Sequence, residues 1–385
     1  MRIAILLAAL AAAPAGAEDP PPNPYAAWKR GPSARSDYFP IAVWLQSTAN
    51  AAKYKAAGIN LYVGLWRGPS EAQLAELTRH GMPVICSQNE AALKHKDNPI
   101  IVGWMHGDEP DNAQARRDGK GYGPPIPPEK IVEDYKKIRE RDPSRPVLLN
   151  LGQGVAWDGW YGRGVRTNKP EDYPKYGEGC DIASFDIYPG CHDHKDVAGK
   201  LWMVGDGVRR LRDWTGNRKP VWSCIECTRI SNVERMATPA EVRAEVWMAL
   251  VRGARGLIYF SHQFKPKFIE AGLLADAEML ASVTATNKQI ASLAQAHNGP
   301  DVEGGVTLES NSDVPVEALA KRHGGATYIF AVPFRSGATD VVFRLPKSQS
   351  GKVEAIDESR TLELKDGAFR DRFEKWAVHL YRIAD

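Results

Sequence analysis

Eight continuous apolar runs, separated by helical patterns, constrain this chain more than any other feature. They are FPIAVWLQ (39–46), INLYVGLW (59–66), MPVICS (82–87), PIIVGWMH (99–106), RPVLLNLG (145–152), CDIASFDIYPG (180–190), KPVWSCIE (219–226) and GLIYFSHQ (256–263). Strands covered on both faces read this way, without the polar alternation of a half-exposed sheet. The segments between them carry helix signals. Ser70 and Gln73 make a capping box with Gly81 as the stop, and Thr238, Pro239 and Glu241 make a second start. Ile131, Tyr135 and Ile138 recur at helical spacing, and Val197, Leu201, Val204, Val208 and Leu211 form one stripe. The alternation predicts an α/β fold, a (β/α)8 TIM barrel over 38–297. A doubly wound open sheet is disfavoured by the count of eight and by the lack of a Gly-rich phosphate loop after the first strand.

From about residue 300 the rhythm changes to short strands with turn signals, which predicts a small C-terminal all-β sandwich over 298–385. At the other end, residues 1–17 read as a signal peptide. Arg2 gives the positive region, residues 3–13 the apolar core, and Ala15, Gly16 and Ala17 the cleavage site. That apolar run is shorter than a membrane span requires. The expectation is a secreted or periplasmic protein with no membrane attachment after removal of the signal, and a polar, proline-rich leader over 18–37. A net charge of +3 gives no case for a nucleic-acid partner, and 43% hydrophobic residues support a sizeable core. The five cysteines are an odd set for an exported chain. Cys224 and Cys227 form a CxxC without the second pair a zinc site needs. Cys191 and Cys227, on neighbouring strand tops, are a candidate disulfide pair whose state stays open.

In a barrel of this kind, chemistry gathers at the C-terminal ends of the strands. Those ends carry Trp44, Trp66, Arg67, His106, Asp108, Glu109, Asn150, Asp186, Tyr188, Glu226 and His262. Glu109 and Glu226 end the fourth and seventh strands, across the mouth from each other. Two carboxyls flanking one bond are what glycoside hydrolysis needs, one to protonate the leaving oxygen and one to attack or to activate water. Tryptophans suit sugar C–H faces, and the long segment 152–179 adds Trp157, Trp160 and Tyr161. Arg67 is placed to orient a carboxylate. The expected substrate-binding set is therefore Trp44, Trp66, Arg67, His106, Asp108, Asn150, Trp157, Trp160, Asp186, Tyr188 and His262. Asp111 reads as a solvated turn residue.

These motifs resemble the clan of retaining glycosidases built on a (β/α)8 barrel with catalytic glutamates on strands four and seven. In that clan the acid/base follows strand four as Asn-Glu, often Asn-Glu-Pro; here GDEP places Glu109 there. The nucleophile ends strand seven, matching Glu226 in PVWSCIE, and a tyrosine near the end of strand six, here Tyr188, bonds it. The resemblance implies a carbohydrate substrate, attack by Glu226, proton donation by Glu109, and no metal or organic cofactor. Two positions depart from it. Asp108 stands where the clan carries an asparagine, and YFSHQ on strand eight lacks the tryptophan many relatives have. Two alternatives stay open. Cys191, His192 and His194 with Asp186 could serve a metal-dependent hydrolase on the same barrel. Asp108 is also the feature that favours a carbohydrate-binding barrel without activity.

Overall fold

The computed structural model describes residues 23–384. Eight strands, β1 (Ile41–Trp44), β2 (Leu61–Val63), β3 (Val84–Ser87), β4 (Ile101–Met105), β5 (Val147–Leu151), β6 (Ile182–Phe185), β7 (Val221–Glu226) and β8 (Gly256–Phe260), close in that order into a barrel. All neighbours are parallel, and β1 closes on β8 through Ile41–Leu257 and Val43–Tyr259. The runs are apolar throughout because each strand buries both faces. Ala42, Leu61, Val63, Ile85, Leu148, Ile182, Trp222 and Ile258 fill the interior. Their neighbours Val43, Tyr62, Val84, Leu149, Ala183, Val221 and Tyr259 pack outward against helices.

The helices are α1 (Ala51–Ala56), α2 (Glu71–His80), α3 (Glu90–Lys94), α4 (Pro128–Arg141), α5 (Tyr173–Glu178), α6 (Trp202–Trp214), α7 (Pro239–Val251), α8 (Gly272–Ala275) and α9 (Ala277–Ser292). Both expected capping boxes form, at Ser70–Gln73 and Thr238–Glu241, and Gly81 adopts the left-handed φ of 55° that ends α2. α7 is buried almost all round, because the C-terminal domain covers its outer face.

That domain is two antiparallel sheets. Strands β9 (Thr307–Glu309), β10 (Val316–His323), β11 (Ala326–Pro333), β12 (Thr339–Arg344), β13 (Gly351–Ala355), β14 (Arg360–Leu364), β15 (Ala368–Phe373) and β16 (His379–Ala384) order as β10-β11-β16-β13-β14 and β15-β12-β9. Phe343 stacks on Phe369 at 4.5 Å in its core, and Phe330 of β11 packs on Trp247 of α7 at 5.4 Å. The sandwich thereby shares one apolar core with the barrel's outer layer.

Two expectations need correction here. The signal segment 1–17 and the first leader residues lie outside the described residues, but the leader from Asn23 onward is built into the fold. Pro24–Ala27 forms a helical turn that drives Tyr25 into the barrel floor. The Tyr25 hydroxyl accepts from Trp222 Nε1 at 2.8 Å and donates to the Arg255 carbonyl at 2.5 Å. Tyr25→Ala should therefore cost about 3–5 kcal/mol, as other large-to-small aromatic deletions do, measured by urea unfolding. The candidate Cys191–Cys227 disulfide is not formed: all five cysteines are free and buried. The reason is the barrel wall, since Cys191 belongs to the interior cluster and Cys227 to the outer one. Among the described residues no helix is long and apolar enough to cross a membrane.

Candidate active site

Three of the strand ends at the mouth hold strained backbone. Leu45, Arg67 and Glu109, just past β1, β2 and β4, have φ of 51°, 53° and 42°. Non-glycine residues hold such angles at a cost of about 1–3 kcal/mol each, so the surrounding bonds must enforce them. For Glu109 they do. Its N–H donates to the Asn150 carbonyl, and its carbonyl accepts from the Asn112 N–H, both at 3.1 Å. The bend turns the Glu109 side chain over β5. There Gly152 leaves room: a Cβ at that position would lie 2.8 Å from Glu109 Oε1. If Glu109 is a reacting group, Gly152→Ala should lower kcat by up to about 100-fold with KM nearly unchanged, because the added methyl displaces its carboxyl. Steady-state kinetics on the folded variant checks this.

Three carboxyls meet at this point. Asp108 keeps exposed surface and accepts from Asn150 Nδ2 at 3.0 Å. Asn150 in turn accepts from Ser184 Oγ at 2.8 Å, so its amide is oriented from below. Glu109 is half-buried and lies beside both Asp186, at the end of β6, and Asn112. Trp160 Nε1 fixes Asn112 at 2.8 Å, and the Tyr188 hydroxyl donates to Asp186 Oδ2 at 3.3 Å. Two adjoining buried carboxyls resist ionising together, which favours one proton between them. Burial, then the charge of Asp108, raises Glu109 to about 7. Burial, then the charge of Glu109, raises Asp186 well above the usual carboxylate range.

Glu226 lies elsewhere. It has no exposed surface, and the Gly190 N–H donates to its Oε1 from the loop after β6, while its Oε2 has no hydrogen-bond partner among the described residues. Beside it lies Glu245 of α7, also fully buried. Burial raises Glu226 to about 7 and Glu245 well above the ordinary range. Glu109 thus adjoins Asp186 and Glu226 adjoins Glu245, so the nearest carboxyl neighbour of each expected catalytic glutamate is a third and a fourth acid. Tyr188 accordingly bonds Asp186 and not Glu226.

Other expected residues also move. Asp111 is not solvated: it is fully buried, accepting from the Gly152 N–H and the Tyr173 hydroxyl at 2.9 Å each, and it ties the β4 loop to the β5 loop. Arg67 points to solvent, 5.9 Å from the Trp66 ring, and orients no carboxylate. His106 faces the helical layer, where its Nε2 meets the Gly179 carbonyl at 2.8 Å. Trp44 is buried in the barrel interior. His192 bonds Gln153 at 2.9 Å and His194 lies on the Trp157 ring at 4.8 Å. Among the described residues no three His, Cys, Asp or Glu side chains form a metal-holding group.

The mouth carries the molecule's apolar surface. Among the described residues the large exposed apolar side chains are Trp66, Tyr122, Tyr161, Val165, Val233, Phe264 and Phe268. Every one lies in a segment leading from a strand to the next helix, so all crowd the C-terminal face. Exposed apolar groups concentrated on one face mark a binding surface. Trp157, Trp160 and Tyr161 form one aromatic group with centroids 4.7–6.2 Å apart. His262, bonded to Gln46 at 3.2 Å, joins Phe260, Phe264 and Phe268 in another.

The whole architecture recurs in solved enzymes. The structure aligns with Gan42B, a GH42 beta-galactosidase, at a TM-score of 0.60 and 9% identity, covering 93% of this chain and 100% of that one. It aligns with the alpha-amylase of Geobacillus thermoleovorans complexed with acarbose at 0.53 and 11%, covering 91% and 99%. AmyP in complex with maltotriose gives 0.53 and 8%, covering 90% and 97%. The fold is that of glycoside hydrolase barrels. At these identities the likeness is one of fold. No family model matches the chain, and no curated protein sequence does.

Sequence reasoning missed Glu245, Asn112 and Gly152. Glu245 had a readable signal, an acid at the head of the apolar run VWMALV in the middle of a helix. Asn112 and Gly152 had none, since their roles depend on how two loops meet.

Proposed function

We propose that this chain is an exported glycoside hydrolase acting on an oligo- or polysaccharide at the C-terminal face of its barrel. The observation that carries the reading is the pair of adjoining carboxyls Glu109 and Asp186 at the ends of β4 and β6, with Trp160 fixing Asn112 beside Glu109 and the Tyr188 hydroxyl bonded to Asp186. As the entering sugar separates the pair, the shared proton goes to Glu109, which donates it to the glycosidic oxygen and later takes one from water. Asp186, held by Tyr188 and left ionised by that transfer, is the carboxylate that attacks the anomeric carbon. Asp108, positioned by Asn150, contacts the sugar in the place where the resembling clan uses an asparagine. The outcome is retention by double displacement. The aligned alpha-amylase holds acarbose and the aligned AmyP holds maltotriose, which supports a carbohydrate here.

The test is a screen of polysaccharides and aryl glycosides, with the anomer of the first product read by NMR. Cleavage with initial retention is expected; inversion would make water the attacking group and Asp186 its base. A second reading, a carbohydrate-binding barrel without turnover, is favoured by one observation. Glu109 and Asp186 touch, whereas retaining carboxyls stand about 5 Å apart. Sugar binding without product from any substrate would decide for it.

A further inference from the structure

The loop after β8 is a small built element that the hydrolytic reading leaves unused. Gln263 and Ile269 exchange two backbone hydrogen bonds of 2.9 Å, closing a hairpin whose tip is Phe264-Lys265-Pro266-Lys267-Phe268. The tip is pinned to the β7 loop, because the N–H groups of Phe264 and Lys265 both donate to the Arg229 carbonyl, at 3.0 and 3.2 Å. Three cations are thus brought together: Lys265, Lys267 and Arg229. None of the three has a side-chain hydrogen bond or ion pair among the described residues, and Arg229 Nε is a buried donor without a partner. The one acid of the loop, Glu270, is turned away to accept from the Ser47 N–H at 2.6 Å.

The same tip is aromatic. Phe264 and Phe268 are 46% and 60% exposed, with centroids 5.6 Å apart, and both rings lie within 21° of parallel to His262. From His262 the rings continue to Phe260 at 5.2 Å and from there to Tyr188 at 5.1 Å, whose hydroxyl bonds Asp186. A ligand resting on this strip reaches the proposed catalytic carboxyls. Ring faces stack on sugar C–H groups, and unpaired cations between them match negative groups on the sugar.

We infer that the glycan bound at this cleft is anionic, carrying carboxylate or sulfate groups that Lys265, Lys267 and Arg229 read on the aromatic strip formed by Phe264, Phe268 and His262. This rests on the glycosidase reading and names the substrate class for it.

Binding is measured with the Glu109→Gln variant, so that no hydrolysis intervenes, using polygalacturonate, dextran sulfate and neutral dextran in affinity electrophoresis. The expected result is retardation by polygalacturonate or dextran sulfate and not by dextran, weakening as salt rises. Which of the two retards identifies the anionic group. Adding Lys265→Gln, Lys267→Gln and Arg229→Gln should weaken that binding roughly tenfold or more, while the same charge loss at Lys347, Lys352 and Lys375 of the C-terminal domain should not. Equal retardation by dextran, or equal losses from both triple variants, would overturn the inference. If the wild type nevertheless cleaves neutral glycans, the glycosidase reading stands without it. If no glycan of any charge is bound or cleaved, both fall.

Discussion

Glu109→Gln is expected to lower kcat/KM by about 10²–10⁴-fold and to abolish the alkaline limb of the pH profile. The argument is protonic. A glutamine of the same shape keeps the contacts to Asp186 and Asn112 but has no proton to give. In the wild type, burial and then the Asp108 charge hold Glu109 up to about 7. A donor must be protonated, so activity should fall as pH rises through about 7, where a glutamate at its ordinary value would already be spent two units lower. Because Glu109 and Asp186 exchange their proton, the limb belongs to the pair. Aryl glycosides with a nitrophenolate leaving group need little protonation and should suffer least in the first step. A variant that kept both its rate on alkyl glycosides and its alkaline limb would remove Glu109 from the mechanism.

Asp186→Asn should lose turnover at least as completely, whereas Glu226→Gln should stay within about tenfold of the wild type. The two substitutions separate the carboxyl that faces Glu109 from the one expected from strand position. Glu226→Gln carries a second signature. Unfolded, this glutamate ionises near 4.5; folded, burial raises it to about 7. Between those values the folded state binds the proton more tightly, so stability falls as pH climbs from about 4.5 to about 7, and the deficit persists above that. The shift corresponds to roughly 3 kcal/mol. Urea unfolding at pH 4.5 and 8 should therefore show a loss in the wild type that Glu226→Gln reduces but does not abolish, because buried Glu245, raised further, still contributes. If instead Glu226→Gln folded normally and was dead, while Asp186→Asn turned over, Glu226 would be the nucleophile. The loop carrying Gly190 and Cys191 would then have to open during catalysis.

The barrel was legible because its cause is local and repeated. Each strand is covered on both faces, and the capping residues at Ser70 and Thr238 act within one turn of their helices. The aromatic groups were legible too, since Trp157 and Trp160 sit in a loop too long for a mere connection. The carboxyl pairing was not. In a run buried on both faces, such as VGWMH, composition does not reveal which residues point inward. Beyond it, the bend at Glu109 breaks the alternation altogether. Asp111 looked like a turn acid because its partners, Gly152 and Tyr173, come from another loop 41 and 62 residues away. Tyr25 was hidden for a similar reason: its proline-rich surroundings read as linker, while its partners Trp222 and Arg255 are 197 and 230 residues distant.

Tyr25 also fixes an orientation. The chain enters the described structure through the floor of the barrel, opposite the face that holds Glu109 and every large exposed apolar side chain. A surface coupled directly at Asn23 would therefore sit on the side of the barrel away from Glu109 and would leave the mouth uncovered.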